Sequence, residues 1–297
     1  MIKAVYYIYF GLSILLISGC VETLPFVQDE NSEKKLFVEC ELEAGKDIIA
    51  YVSYASFINN NSTNLPSIDT SEIRLSLGEM DKDYVKHFSF NQSQEKYVLH
   101  QGEIPLQSGK SYILKGFLKH SDTDINVVTE LPNRFPYDSI VLRDSDFENL
   151  ASGLIRTTST IRIYFNRGKI TENYFLHLAI MNKENDKEIY FQAASDANAF
   201  FRLNHKPGMV LELDRVTEKK YIELEMRFTG TDSLKEVLLL VRNTTKSYYD
   251  YQKFKTNTPV IPSPSTNPAI AAFNIATKEG YGTFSSSFLE TLPLQVK

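Results

Sequence analysis

The chain has no tryptophan, two cysteines and five histidines in its 297 residues. Each shortage removes a class of chemistry. Cys20 and Cys40 form no CxxC pair, which excludes the usual thiol redox motif and the usual zinc knuckle. His87, His100, His120, His177 and His205 stand singly along the chain, and a metal site needs a converging set. Each of them therefore reads as a surface or strand residue. There is no HExxH, no GxSxG and no glycine-rich phosphate loop, so no cofactor and no catalytic set is expected and the chain reads as a non-enzyme. A basic excess is missing too: 32 Lys and Arg stand against 37 Asp and Glu, a net charge of −5. That balance does not favour nucleic acid or an anionic membrane surface as a partner. Without tryptophan a sugar-stacking surface is less expected, although 17 Tyr and 19 Phe keep the aromatic content high. Tyr51, Tyr54, Tyr248, Tyr249 and Tyr251 are candidates for a binding face.

What is present begins with Met1 to Cys20, MIKAVYYIYFGLSILLISGC. Lys3 gives a positive start, and the apolar run Ala4 to Ile17 is too short to span a bilayer comfortably, so residues 1–19 read as an export signal. Its end, Ile17-Ser18-Gly19-Cys20, resembles the bacterial lipobox. Small residues there let lipid and peptidase reach the sulfur of Cys20, which would become the acylated first residue of a lipoprotein. Each buried methylene contributes about 0.8 kcal/mol, so two or three acyl chains hold a protein durably in outer-membrane lipid. Cys40 would then be the one remaining thiol, with no disulfide possible. Residues 20–35 are polar, aperiodic and acidic, the composition of a flexible tether.

From residue 36 the pattern turns to strands. Leu36, Val38, Cys40 and Leu42 alternate with Glu39, Glu41 and Glu43, the signature of a half-buried strand with its carboxylates in water. Cys40 lies on the apolar side, where a buried, inert thiol is expected. Further short strands are predicted at Ile48 to Phe57, Glu72 to Leu77, Tyr84 to Phe90, Lys96 to His100, Ser111 to Leu118 and Ile125 to Thr129. Turns at 44–47, 107–110 and 120–122 separate them, and Asn59 to Ser67 reads as a polar loop. Seven strands without an intervening amphipathic helix predict a first domain over 36–131, an antiparallel β-sandwich of immunoglobulin-like or transthyretin-like type. Pro132 and Pro136 then place a boundary.

A second, β-rich domain is expected over 137–297. Strands are predicted at Ser139 to Leu142, Thr160 to Phe165, Tyr174 to Met181, Glu188 to Ala193, Met209 to Leu213, Tyr221 to Phe228 and Val237 to Val241, with a closing strand at Gly280 to Phe284. Asp144-Ser145-Asp146-Phe147-Glu148 reads as a solvated acidic loop, since it lacks the glycine turn of a calcium loop. One short helix is expected after Thr244 or Thr245, with Tyr248 and Tyr251 on one face. Its tyrosines read first as packing against the sandwich, and second, with Tyr249, as a ligand- or partner-binding set. Asn257 to Pro268, with four prolines, reads as a stiff extended crossing.

The order of lipobox, LFVECEL at 36–42, GKSYILKG at 109–116, ELPNRFPYDSI at 130–140, and SYYDYQKF followed by NIATKEGYGTF at 247–284 resembles the DUF4249 family of Bacteroidetes outer-membrane lipoproteins. The family usually has a glycine where Cys40 stands and a more glycine-rich version of residues 274–284. The resemblance implies a cell-envelope lipoprotein, on the cell-surface or periplasmic face, often encoded beside a TonB-dependent outer-membrane transporter. It implies no catalytic residues. The resulting expectation is a non-enzymatic binding or accessory subunit of such a transporter, handling an unidentified nutrient. The alternative is a structural surface protein, an adhesin or fimbrial-type subunit.

Overall fold

The computed structural model describes residues 35–55, 70–119, 125–170, 172–194, 200–214, 220–257, 275–276 and 280–296. The lipobox Ile17, Ser18, Gly19 and Cys20, the tether, Asn59 to Ser67, the 120–122 turn and the proline-rich 258–268 segment lie outside them. The strands run in chain order as β1 (Lys35–Glu43), β2 (Ile48–Ala55), β3 (Ile73–Glu79), β4 (Val85–His87), β5 (Ser89–Asn91), β6 (Lys96–Leu99), β7 (Ser111–Leu118) and β8 (Ile125–Glu130). Past the prolines come β9 (Tyr137–Asn149), β10 (Ile155–Phe165), β11 (Tyr174–Asn182), β12 (Tyr190–Ala193), β13 (Phe200–Arg202), β14 (Met209–Leu213), β15 (Tyr221–Gly230) and β16 (Glu236–Thr244). Helix α1 (Lys246–Asn257), β17 (Ile275–Ala276) and β18 (Gly280–Gln295) close the chain.

These strands form three sheets among the described residues. One long sheet runs β13-β14-β11-β16-β18-β1-β2-β6-β5 with β17 paired to β18, and two smaller ones run β4-β3-β7-β8 and β12-β15-β10-β9. The alternation read from the sequence fixes which side of each strand is buried. Leu36, Val38, Cys40 and Leu42 of β1 meet Ile73, Leu75 and Leu77 of β3 and Tyr112 and Leu114 of β7 in a first core. Leu176, Leu178 and Ile180 of β11 and Val237, Leu239 and Val241 of β16 meet Ile161 and Ile163 of β10 and Ile222, Leu224 and Met226 of β15 in a second. Each fully buried aliphatic side chain contributes about 2 kcal/mol. The fold is thus all-β, two sandwich cores under one long sheet with a single helix among the described residues. Burial pushes the Cys40 thiol well above its ordinary pKa, with Glu41 and Glu39 adding to the effect, so it stays protonated in the first core.

The proline junction is where the cores change over: Leu131 belongs to the first and Phe135 to the second. It is also tied down. Asn243 Nδ2 donates to Asn133 O at 2.8 Å, Arg134 pairs with Glu290 at 2.8 Å, and Tyr137 donates to the same carboxylate at 2.8 Å. The two segments share their last strand. Residues 280–287 of β18 run parallel to β1, and residues 287–295 run antiparallel to β16, with Ser287 opposite both Glu43 and Thr244. Residues 34–297 accordingly form one compact unit.

Three local readings change. The predicted strand Tyr84 to Phe90 is broken at Phe88, whose ring enters the first core while its N–H bonds to Leu75 O at 3.0 Å; β4 stays in the small sheet and β5 joins the large one. The acidic stretch 144–148 is not a loop but the end of β9, an edge strand whose outer side faces water and tolerates charge; the pairing to β10 shifts register there, with Ser145 Oγ bonded to Ser159 Oγ at 3.0 Å. The closing strand is sixteen residues long rather than five.

Gly282 is the point on which the parallel pairing of β18 depends. Its φ is +144°, and a Cβ there would lie 1.9 Å from the carbonyl oxygen of Val38. Replacing Gly282 with Ala should lower unfolding free energy by about 3 kcal/mol or more, through both backbone strain and displacement of β1. The midpoint of a urea titration measures this; an unchanged midpoint would mean that β1 and β18 are not joined in this register.

Candidate functional site

The sheet's outer side, facing away from both cores, gathers the polar residues. Register sets who meets whom. Glu41 lies opposite Ile49, and Glu39 opposite Tyr51, on the β1–β2 pair. On the far side, His177 lies opposite Arg242 and Ala179 opposite Leu240 on the β11–β16 pair. Met181 adds to that wall, and the turn between β13 and β14 brings Lys206 and Pro207 over it. Together these residues line a basin of about 420 Å³. The carboxylates of β1 therefore do not simply face water, as alternation alone suggests; they form one wall of a concavity.

His177 is the best-determined group in it. The ring is buried, with Nε2 2.8 Å from the carbonyl of Pro207. A carbonyl only accepts, so Nε2 carries the proton and Nδ1 is the acceptor. Tyr248 O–H lies 2.7 Å and Arg242 Nη1 2.9 Å from Nδ1. Burial first, then the positive charges of Arg242 and Lys206, push the His177 pKa from 6.5 down to about 3. The Pro207 carbonyl is followed by Gly208, whose φ is +105° and where an added Cβ would lie 2.3 Å from Leu178 O. Gly208 N–H in turn donates to Glu188 Oε1 at 3.0 Å.

Ion pairs interleave around this centre. Arg242 Nη2 meets Glu43 Oε2 at 3.0 Å, both side chains nearly buried, and Lys46 meets Glu43 Oε1 at 2.6 Å. Tyr251 O–H donates to Glu39 Oε2 at 2.9 Å and Lys255 lies 3.2 Å from Oε1. Glu41 is more loosely held: Ser287 Oγ donates to it at 3.2 Å and Lys206 Nζ stands 3.9 Å away. Lys206 rests over the Tyr248 ring at 4.5 Å, and burial lowers its pKa while Glu41 partly opposes. Arg242 Nε is buried without a hydrogen-bond partner. The basin thus offers Lys206, Glu41 and the Arg242 edge above an apolar floor of Ile49, Ala179 and Leu240.

Helix α1 packs beside the basin, on β18, β11 and β14. Thr245 caps it, with Tyr248 N–H 3.4 Å from Thr245 Oγ1, and Thr245 N–H bonds to Ser286 O at 3.1 Å, tying the helix start to β18. Tyr248, Tyr249 and Tyr251 are all buried under the helix, so they do not form an exposed partner-binding face. Tyr248 and Tyr249 pack with Leu203 and Val210, while the hydroxyls of Tyr248 and Tyr251 orient His177 and Glu39. The sequence signals no more than the Glu39, Glu41, Glu43 alternation here, because His177, Lys206 and Arg242 come from distant strands.

A protein-family model described as "Domain of unknown function (DUF4249)" matches residues 21–288. The chain belongs to the DUF4249 family. Among solved structures, "Crystal structure of chicken CNTN1 FN1-FN3 domains" aligns at 11% identity and TM-score 0.23, covering 88% of this chain and 66% of that one. "Crystal structure of Salmonella alpha-2-macroglobulin mutant Y1175G" aligns at 11% identity and TM-score 0.25, covering 71% of this chain and 13% of that one. The DUF4249 chain thus spans under two thirds of either. No curated protein sequence matches it.

Two outcomes follow for the DUF4249 basin. A histidine with its pKa lowered on folding stabilises fully above its unfolded pKa of 6.5, and that contribution is lost as pH falls toward about 3. Stability should therefore fall by about 1.4 kcal/mol per pH unit across that window in excess of a His177→Gln variant, read from urea midpoints at a series of pH values. Equal slopes in the two proteins would refute a neutral, buried His177. Arg242→Leu leaves the nearly buried Glu43 with the half-exposed Lys46 alone and should lower stability by about 2 kcal/mol, against about 1 kcal/mol for Tyr251→Phe, by the same measurement.

Proposed function

We propose that this chain is a lipid-anchored, non-enzymatic protein of the cell envelope, a binding or accessory subunit of a TonB-dependent outer-membrane transporter that takes up a nutrient. The observation that carries the reading is the basin on the outer side of the long sheet. Its charged groups are held by one another and by buried tyrosines, an arrangement suited to equilibrium binding of a small polar molecule on a rigid wall. His177 is fixed as a neutral hydrogen-bond acceptor in the wall, which suits positioning rather than proton transfer near neutral pH.

Two further points support the reading. The family match starts at residue 21, directly after the lipobox cysteine, in keeping with Cys20 as the first residue of the mature chain. A tether of residues 20–35 would let the folded part move while the acyl chains keep its effective concentration at the membrane high. A fimbrial-type subunit that exchanges its first strand is less well supported, because β1 is laddered on both sides, by β18 and by β2.

The test is a mild-detergent pull-down of the tagged protein from its native membranes, with partners identified by mass spectrometry and a Cys20→Ala strain as control. A stoichiometric outer-membrane barrel, lost in the control, is the expected result. Ladders of the protein itself with no barrel would overturn the transporter reading in favour of a structural subunit.

A further inference from the structure

A second concavity lies where the edge strand β12 begins, apart from the basin, and has a volume of about 570 Å³. Its lining is rich in donors and holds one carboxylate, Glu188. Arg156, Lys187 and Arg227 bring three positive charges to it, in a chain whose net charge is −5. Arg156 and Arg227 lie on the outer side of the β10–β15 pair, Arg156 opposite Thr229 and Arg227 two residues before it. Each guanidinium has five N–H groups, and the ion pairs with Glu148 and Glu225 engage one on Arg156 and two on Arg227.

Several acceptors in the same lining are already engaged. Asn182 Oδ1 receives the Glu184 N–H at 2.9 Å, and Asn185 Oδ1 receives the Lys187 N–H at 3.1 Å, which turns both amide groups toward donating. Glu188 Oε1 receives Arg202 Nη2 at 2.9 Å and Gly208 N–H at 3.0 Å. The N–H groups left over on Arg156 and Arg227, with Lys187 beside them, suit an occupant that offers several acceptors, a carboxylate among them. It must also present a flat apolar side. Tyr190 stands opposite Arg227 in register and is 50% exposed, with the Arg202 guanidinium against one side of its ring at 5.2 Å, and Phe228 lines the same cleft.

We infer that this cleft binds an anionic sugar: a ring whose C–H face rests on Tyr190 and whose carboxylate or sulfate oxygens are held by Arg227 and Arg156. The volume suits a ring and its substituents and exceeds what a lone oxyanion fills. Guanidinium forks match planar carboxylate geometry in pairs, and the amides of Asn182 and Asn185 serve the ring hydroxyls. Glu188 lines the cleft and Glu148 and Glu225 pair with the two guanidiniums, so an anion is drawn at short range by Lys187 and by the N–H groups those pairs leave over, and its binding weakens with salt. Binding here depends on neither the transporter nor the basin.

The full-length protein, purified in mild detergent, is titrated with D-glucuronate, D-glucose and sodium sulfate, read by saturation-transfer NMR for the sugars and by competition for sulfate. Glucuronate is expected to bind saturably, about tenfold more tightly than glucose, and to lose about tenfold in Arg227→Gln, in Arg156→Gln and in Tyr190→Leu. Lys206→Gln, in the basin, should leave it unchanged. Arg156, Arg227 and Tyr190 are on the surface, and an unaltered melting temperature in each of their variants ties the loss to the site. Equal affinity for glucose and glucuronate would overturn the proposal. So would displacement of glucuronate by an equal concentration of sulfate, which would leave a simple anion site, or a loss in Lys206→Gln with none in Arg227→Gln. A failed pull-down would not bear on any of these results.

Discussion

The structure depends on the backbone pairing of one strand. β18 lies parallel to β1 through residue 287 and antiparallel to β16 from residue 287 onward, so a single run of hydrogen bonds joins the sheet of the first sandwich to that of the second. Strand pairing thus accompanies β18 along its whole sixteen residues, with β1 over 280–287 and with β16 over 287–295. Side chains adapt to it. Ser285, Ser286 and Ser287 are buried in the middle of the strand, and each is small enough to let its neighbours close in. Ser286 Oγ reaches Glu130 O at 2.5 Å and Ser287 Oγ reaches Glu41, so the seam is held by hydroxyls as well as by the ladder.

The basin follows from the same seam. Because β18 sets β16 two positions from β1, the carboxylates of β1 and the cation of β16 come within reach of each other, and Arg242 can bridge from His177 to Glu43. A buried pair of this kind contributes little net stability against an apolar substitute, yet breaking it is costly. Its effect is to specify an arrangement. The helix that follows β16 then lies beside the wall and hides the tyrosines that a reading of composition would place on the surface.

Much of the fold was legible because burial on one side imposes a period of two. Leu36, Val38, Cys40 and Leu42 and Ile222, Leu224 and Met226 are buried at every second position, and in β7 Tyr112 and Leu114 are buried while Phe117 faces out. Where that one-sidedness fails, the signal fails. β9 is an edge strand, so Asp146 and Glu148 can occupy it without burial and resemble a loop. β18 buries Thr283, Ser285, Ser286 and Ser287, so the apolar alternation that marks a strand is lost after Phe284. Thr245 was legible as a cap because capping is a local interaction. The basin was not, because Glu41, Lys206 and Arg242 are neighbours only through pairings between distant parts of the chain.

The parallel arrangement of β1 and β18 has a mechanical meaning. A pull toward residue 35 on one strand and toward residue 295 on the other acts along opposite directions of two strands lying side by side. The hydrogen bonds between them are then loaded together in shear instead of opening one after another from an end. Ser287 and Glu41, 246 residues apart in sequence, sit at the far end of this lap joint. Tension between the two ends of the folded unit is therefore resisted first by the seam, before either apolar core is strained.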